Sequence, residues 1–248
     1  AASRLSPGCA SAAGMSAGEL RERAEGLKWK LLRRRLFPTL ALASAGPMRT
    51  YLRKLLPVTR FEELRIPLGV VATDLVSAEL VVMAAQNGWP GDRELPHDMV
   101  VMTPDLVDAI VASCAIPVVF EPVRVEDRLL VDGFLTNNVP AGLARLMGAE
   151  RVVAVDLMAD RRERPAPRHI VEYALSALNA YRYWAVKNRS IWADVVLRPN
   201  VAELRRGDSI DVKGFVEAGR RAAREALPAL RKLLSGDGGV ERPGHVPR

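Results

Sequence analysis

Residues 128–134, Arg128-Leu129-Leu130-Val131-Asp132-Gly133-Phe134, form an apolar run that ends in a carboxylate followed at once by glycine. A short run of aliphatic and β-branched side chains reads as a buried strand, and glycine lets the backbone turn sharply beyond it. Asp132 is therefore expected at the end of a strand. In open α/β folds, ligands gather outside the carboxyl ends of the strands. Asp-Gly is also among the commonest turn dipeptides, so the pair by itself reads first as a plain turn.

The surroundings alternate between short apolar stretches and helical ones, as an α/β layer fold requires. Residues 123–125 and 128–131 flank Glu126-Asp127, which predicts a hairpin whose second strand delivers Asp132. Thr103 is expected to cap a helix with Pro104 at its first position, and Leu106, Val107, Ile110, Val111 and Cys114 share one face of it as core. Further upstream, 68–73 and 80–84 read as strands, followed by a Gly-, Pro- and charge-rich loop over 86–98. Ser16-Ala17-Gly18-Glu19 is a capping box that opens a helix running to about Glu25. Downstream, a helix starts near Pro140 and stops at Gly148, 151–156 is a strand, 169–187 a long helix and 193–197 a final strand. A last helix, 212–234, contains Pro228, which must bend or divide it.

At 248 residues, with 49% apolar and 26% charged side chains, the chain can bury one full core and is read as one domain. Two cysteines, Cys9 and Cys114, define neither a disulfide framework nor a metal-ligand spacing, so a reducing compartment and no metal are expected. No run approaches the about 18 consecutive apolar residues of a membrane span. Arginine far outnumbers lysine and alanine is abundant, a codon bias from which a GC-rich bacterial genome is expected.

The net charge of +7 favours an anionic partner. Within residues 28–37, a helix would set Trp29, Leu32, Leu36 and Phe37 on one side and Lys30, Arg33 and Arg34 largely elsewhere. That pattern fits an interfacial helix on an anionic membrane, but it is also what any solvated helix packed on a core shows, and the latter is the preferred reading. Glu150-Arg151-Val152-Val153-Ala154-Val155-Asp156 ends in an acid but lacks a glycine fingerprint, so Asp156 is read as structural. His97, His169 and His245 are scattered in loop or charged settings and are read as exposed or locally bonded. No aromatic stacking platform favours nucleic acid as the partner.

Several motifs then fall in order: Ala112-Ser113-Cys114-Ala115-Ile116-Pro117, Phe120-Glu121-Pro122, Val131-Asp132-Gly133, Asn137-Asn138-Val139-Pro140 and residues 148–156. Together they resemble the second half of the patatin-like phospholipase family. Val71-Ala72-Thr73-Asp74-Leu75 resembles another strand end of that family, and Ala12-Ala13-Gly14-Met15-Ser16 the end of its nucleophile helix. The resemblance runs from about residue 8 to about residue 225.

It implies a patatin-like layered α/β fold, with a central, mostly parallel sheet flanked by helices. It also implies a serine hydrolase of lipid acyl esters that uses a Ser–Asp dyad and no cofactor. A serine hydroxyl needs a base to become a good nucleophile, and a partly buried carboxylate can be that base. Asp132, followed by Gly133, takes the role of proton acceptor by resemblance. Asn137 and Asn138 read as turn and cap groups of the Pro140 helix. Phe134 stands where the family has a small residue and is expected to repack the turn.

The family carries its nucleophile in a G-x-S-x-G elbow, after a glycine-rich oxyanion loop and just before the helix that ends in Ala-Ala-Gly. Laid over residues 8–14, that pattern puts Ala2 at the nucleophile position and Arg4 at the second glycine. Ser3, between Ala1 and Leu5, is read as a plain loop serine, and no nucleophile is identified. The expectation is an N-terminally truncated domain over 1–234, missing its first strands. A helical extension is expected from about 199 and a flexible tail over 235–248. No signal-peptide pattern opens the chain, so a cytoplasmic protein in peripheral contact with membrane is expected. The rival expectation is a catalytically inactive domain that binds lipid or a protein partner through the same cleft.

Overall fold

The structure is a computed structural model that describes residues 7–25, 41–89, 96–157, 166–187, 192–201 and 211–235. Ser3, the basic segment 28–37, His245 and the tail from 236 lie outside the described residues. The chain divides into two compact units, Ala1–Asn138 and Val139–Arg248.

The first unit begins with three helices, α1 (Pro7–Ala12), α2 (Ala17–Glu25) and α3 (Gly46–Leu55). Ser16 opens α2 as the sequence predicts: its N–H and Oγ both donate to a Glu19 carboxylate oxygen at 2.8 Å, and the Glu19 N–H returns to Ser16 Oγ at 3.3 Å. Then come β1 (Val70–Asp74), β2 (Leu80–Met83), β3 (Met99–Met102), α4 (Leu106–Ser113), β4 (Val123–Val125) and β5 (Arg128–Asp132). The strands form one sheet in the order β3-β2-β1-β5-β4.

The layered α/β class is the expected one, but the pairing in this sheet is mixed rather than mostly parallel. Only β2 and β3 run parallel, and the other three pairs are antiparallel. The connections explain the three pairings between consecutive strands. A tight turn joins β1 to β2, with Asp74 Oδ1 accepting from the N–H groups of Val76 at 2.9 Å and Ser77 at 3.4 Å. Glu126-Asp127 joins β4 to β5 as the predicted hairpin, with Val125 opposite Arg128 and Glu126 at φ +54°. Connections this short permit only antiparallel neighbours, whereas the longer crossover from β2 to β3 permits a parallel one.

Helix α4 packs on β1, β4, β5 and α3. Leu106, Val107, Ile110 and Val111 are all buried as core, and each contributes about 1.5–3 kcal/mol relative to exposure. Its cap corrects the expectation placed on Thr103. The Asp105 carboxylate accepts from Val107 N–H at 3.0 Å and Asp108 N–H at 3.2 Å, while Thr103 Oγ1 donates to the Ala84 carbonyl at 2.8 Å. Beyond the end of β2 that carbonyl competes for the threonine hydroxyl, and the helix starts later. Cys9 and Cys114 are buried in the core.

In the second unit, α5 (Ala141–Leu146) stops before Gly148, which takes φ +98°, the left-handed conformation that glycine adopts without strain. Strands β6 (Val153–Val155) and β7 (Val195–Leu197) pair in parallel, with α6 (Ile170–Lys187) between them in sequence. Asp194 ties this unit together: it accepts from Val152 N–H at 2.6 Å and from Arg145 at 2.5 Å, and Arg145 also donates to the Glu150 carbonyl at 2.7 Å. The last helical stretch is divided at Ala226 into α7 (Val212–Glu225) and α8 (Leu227–Ser235). Pro228 thus falls in a first helical turn, where its missing N–H leaves no bond unmade. Among the described residues no helix is long and apolar enough to cross a membrane.

Candidate functional site

Asp132 is the last residue of β5 and lies opposite Ala72 of β1. Its N–H donates to the Ala115 carbonyl at 2.9 Å, which fixes the strand end against the residues that follow α4. The chain then enters a single 3-10 turn, Gly133–Leu135, for which Asp132 is the cap: Oδ1 accepts the Phe134 N–H at 3.0 Å. The carboxylate is thereby held in one orientation by backbone, at 4% exposure.

Gly133 is required for a different reason from the one the sequence suggests. Its φ is not in the left-handed region. The constraint is proximity: a Cβ there would stand 2.6 Å from the Val71 carbonyl oxygen and 2.9 Å from Val71 Cγ2. Hydrogen bonds fasten the turn further. The Gly133 carbonyl accepts from Asn137 N–H at 2.8 Å and from Thr136 N–H at 3.3 Å. Thr73 Oγ1 lies 2.9 Å from Thr136 Oγ1 and donates to the Asp132 carbonyl at 3.3 Å.

Beside Asp132 opens a cavity of about 130 Å³. Among the described residues, Asp132 is the one carboxylate on its wall. Ser113, Asn137 and Asn138 supply neutral polar groups, and Val70, Val71, Ile110 and Phe134 supply apolar ones. A water molecule's share of liquid volume is about 30 Å³, so the space suits a small group with one polar end rather than a whole lipid. Chemically, the wall offers a proton acceptor, hydrogen-bond donors and an apolar lining.

The two asparagines correct the cap expectation. Pro140 is the N-cap of α5 with no side-chain bond to it, Asn137 enters the turn through its backbone, and both residues line the cavity. Ser113 was legible only as a letter in a motif. Its place at the last turn of α4, facing the end of β5, follows from packing between elements that the sequence does not align.

One G-x-S-x-G string does occur, Gly14-Met15-Ser16-Ala17-Gly18, and sequence reading registers only the capping box within it. The structure gives it no elbow geometry. An elbow follows a strand, whereas this string follows α1, and Ser16 is an exposed cap held by Glu19.

None of the other described candidates is among the residues that line the cavity. His97 is exposed, and His169 is bonded locally: Nδ1 accepts the Glu172 N–H at 3.4 Å and Nε2 lies 3.3 Å from a Glu172 carboxylate oxygen. Asp156 is buried at the end of the β6–β7 pair, its N–H donating to the Leu197 carbonyl at 2.8 Å, with Arg198 Nε 3.8 Å from its carboxylate. Among the described residues, no three His, Cys, Asp or Glu side chains are grouped to hold a metal ion.

A second charged cluster sits at the opposite end of β1 and β5. Arg128 donates to Asp74 at 2.9 Å and to Glu79 at 2.6 Å. Burial works to raise the Asp74 pKa, but the N–H groups of Val76 and Ser77 together with Arg128 outweigh it and hold the carboxyl below its ordinary value. This cluster pins the β1–β2 turn to β5.

A family model described as patatin-like phospholipase matches residues 8–145, a stretch that includes every described residue lining the cavity. The chain is also similar to patatin-like phospholipase domain-containing protein 6 of Mus musculus, at 24% identity over 168 residues, which is 68% of this chain and 11% of that protein. The Homo sapiens protein of the same name matches at 24% over 168 residues, 68% of this chain and 10% of its own. The chain thus spans about a tenth of the length of these relatives.

Proposed function

Because this chain belongs to the patatin-like phospholipase family, we propose that it acts as a lipid acyl hydrolase in which Asp132 is the proton acceptor of a Ser–Asp dyad. A serine hydroxyl gives its proton to the Asp132 carboxylate as its oxygen attacks the ester carbonyl carbon. The protonated acid then passes the proton to the leaving alcohol. Water deacylates the serine by the same route, with Asp132 taking its proton and returning one to the serine oxygen. Backbone N–H groups must hold the oxyanion that forms on the carbonyl oxygen. An acyl ester is the substrate class, with its acyl end against Val70, Val71, Ile110 and Phe134. The reading also takes residues 28–37 as a peripheral contact with anionic membrane, supported by their alternation of basic and apolar residues and by the net charge of +7.

The observation that carries the proposal is a buried carboxylate, oriented by the Phe134 N–H, on the wall of a cavity whose other polar groups, among the described residues, are neutral. A second reading, an inactive domain that binds lipid or a protein partner, is favoured by one fact: the G-x-S-x-G string in this chain forms a helix cap. Labelling with a fluorophosphonate, followed by peptide mapping of the modified serine, separates the two. The hydrolase reading expects labelling that Asp132→Asn abolishes. No labelling, or labelling that Asp132→Asn leaves unchanged, overturns it in favour of the inactive domain.

A further inference from the structure

Helix α6 is apolar on two sides. Val171, Ala174, Leu175 and Leu178 are half-buried on one of them. On the other, Ile170, Tyr173, Tyr181 and Trp184 are exposed by 77%, 62%, 52% and 54%. At about 100° per residue these four fall within about 80° of one another, with the exposed Ala177 between them. A surface helix ordinarily turns a polar face to water. This one shows water an aromatic stripe.

The chemistry of the stripe selects its occupant. Tyr and Trp combine a large apolar ring with a polar handle, and they collect where hydrocarbon meets water. The one carboxylate of α6, Glu172, lies off the stripe and is engaged by the Arg168 N–H at 2.8 Å and by His169, so α6 turns no carboxylate from the stripe toward an anionic surface. The chain as a whole carries +7. A second copy is a poor occupant. The stripe is about 21 Å long and about 10 Å wide, so two copies would bury about 400 Å² between them. Specific dimers need about 1,000 Å² or more.

We propose that the outward face of α6 rests on an anionic phospholipid surface, with Tyr173, Tyr181 and Trp184 seated at the level of the head groups. This deepens the lipid-hydrolase reading, on which it rests only for the reason such a surface is sought. Physical binding needs none of the chemistry.

The test is co-sedimentation of the full chain with vesicles of phosphatidylcholine mixed with phosphatidylglycerol, set beside light scattering of the protein alone. The native chain is expected to bind, less well in high salt, and to be monomeric. The combined variant Tyr173→Ser, Tyr181→Ser, Trp184→Ser, with an unchanged circular dichroism spectrum, is expected to partition at least about ten-fold more weakly. The single Trp184→Ser variant should fall between the two. Equal partitioning of variant and native chain overturns the proposal, as does a native dimer that the variant splits. Asp132→Asn should bind vesicles as the native chain does. A chain that binds vesicles but resists the fluorophosphonate sinks the hydrolase reading and leaves the lipid surface standing. A chain that is labelled but does not bind sinks the surface alone.

Discussion

Gly133 and Val71 stand so close across β5 and β1 that a methyl group on the glycine would lie 2.6 Å from the valine carbonyl oxygen. Backbone, not a flexible side chain, fills that space, so an alanine must push the end of β5 away from β1. Gly133→Ala is expected to lower stability by about 1–3 kcal/mol, as overpacking does, seen as a lower urea midpoint at unchanged slope. Asp132 is the adjoining residue, so fluorophosphonate labelling should slow as well. An alanine variant as stable and as reactive as the native chain would show that β1 yields freely.

Sequence made legible whatever rests on neighbours in the chain. The Glu126-Asp127 hairpin, the Ser16–Glu19 box, the strand ending at Asp132 and the break before Pro228 each depend on a few adjacent residues, and each is found. What escaped depends on partners far along the chain. Strand direction is decided by which connections are short, Thr103 is diverted by the carbonyl of Ala84, and the need for Gly133 arises from Val71. The cavity is the same kind of case. Ser113, Asp132 and Asn138 meet only because α4 packs beside β5 and the turn after β5 folds back on itself.

The cap of α4 offers a contrast between two residues. Asp105→Ala removes the acceptor of two N–H groups and should cost about 0.5–2 kcal/mol, whereas Asp105→Asn should retain most of the stability. Thr103→Ala leaves both cap bonds in place. Urea midpoints of the three variants check this, and a Thr103→Ala loss exceeding that of Asp105→Ala would return the cap to Thr103.

Acid should unfasten the β1–β2 turn. Asp74 has a lowered folded-state pKa because backbone N–H groups and Arg128 outweigh its burial, so the ionised carboxylate favours the fold. That contribution is complete above the unfolded carboxyl value of about 3.9 and is lost as pH falls through the lower folded value. Asp74→Asn should therefore be less stable than the native chain at neutral pH, with the gap closing below about pH 3.9. Urea midpoints measured across that range test it, and a gap that stays constant into acid would rule out the linkage.

Phe134 brings together the two properties on which the cavity's use depends. Its backbone N–H orients the Asp132 carboxylate, while its buried ring closes part of the cavity wall. Phe134→Ala keeps the first and removes the second. The loss of the ring should cost about 3–5 kcal/mol, with Phe134→Leu as the milder form. If the cavity receives the acyl end of an ester, the enlarged space should admit more methylenes, each worth about 1–3 kcal/mol of discrimination in a hydrophobic pocket. The ratio of kcat/KM for a longer over a shorter p-nitrophenyl ester should then rise in both variants, most in the alanine. A ratio that stays fixed while stability falls would place the acyl chain elsewhere and leave Phe134 a purely structural residue.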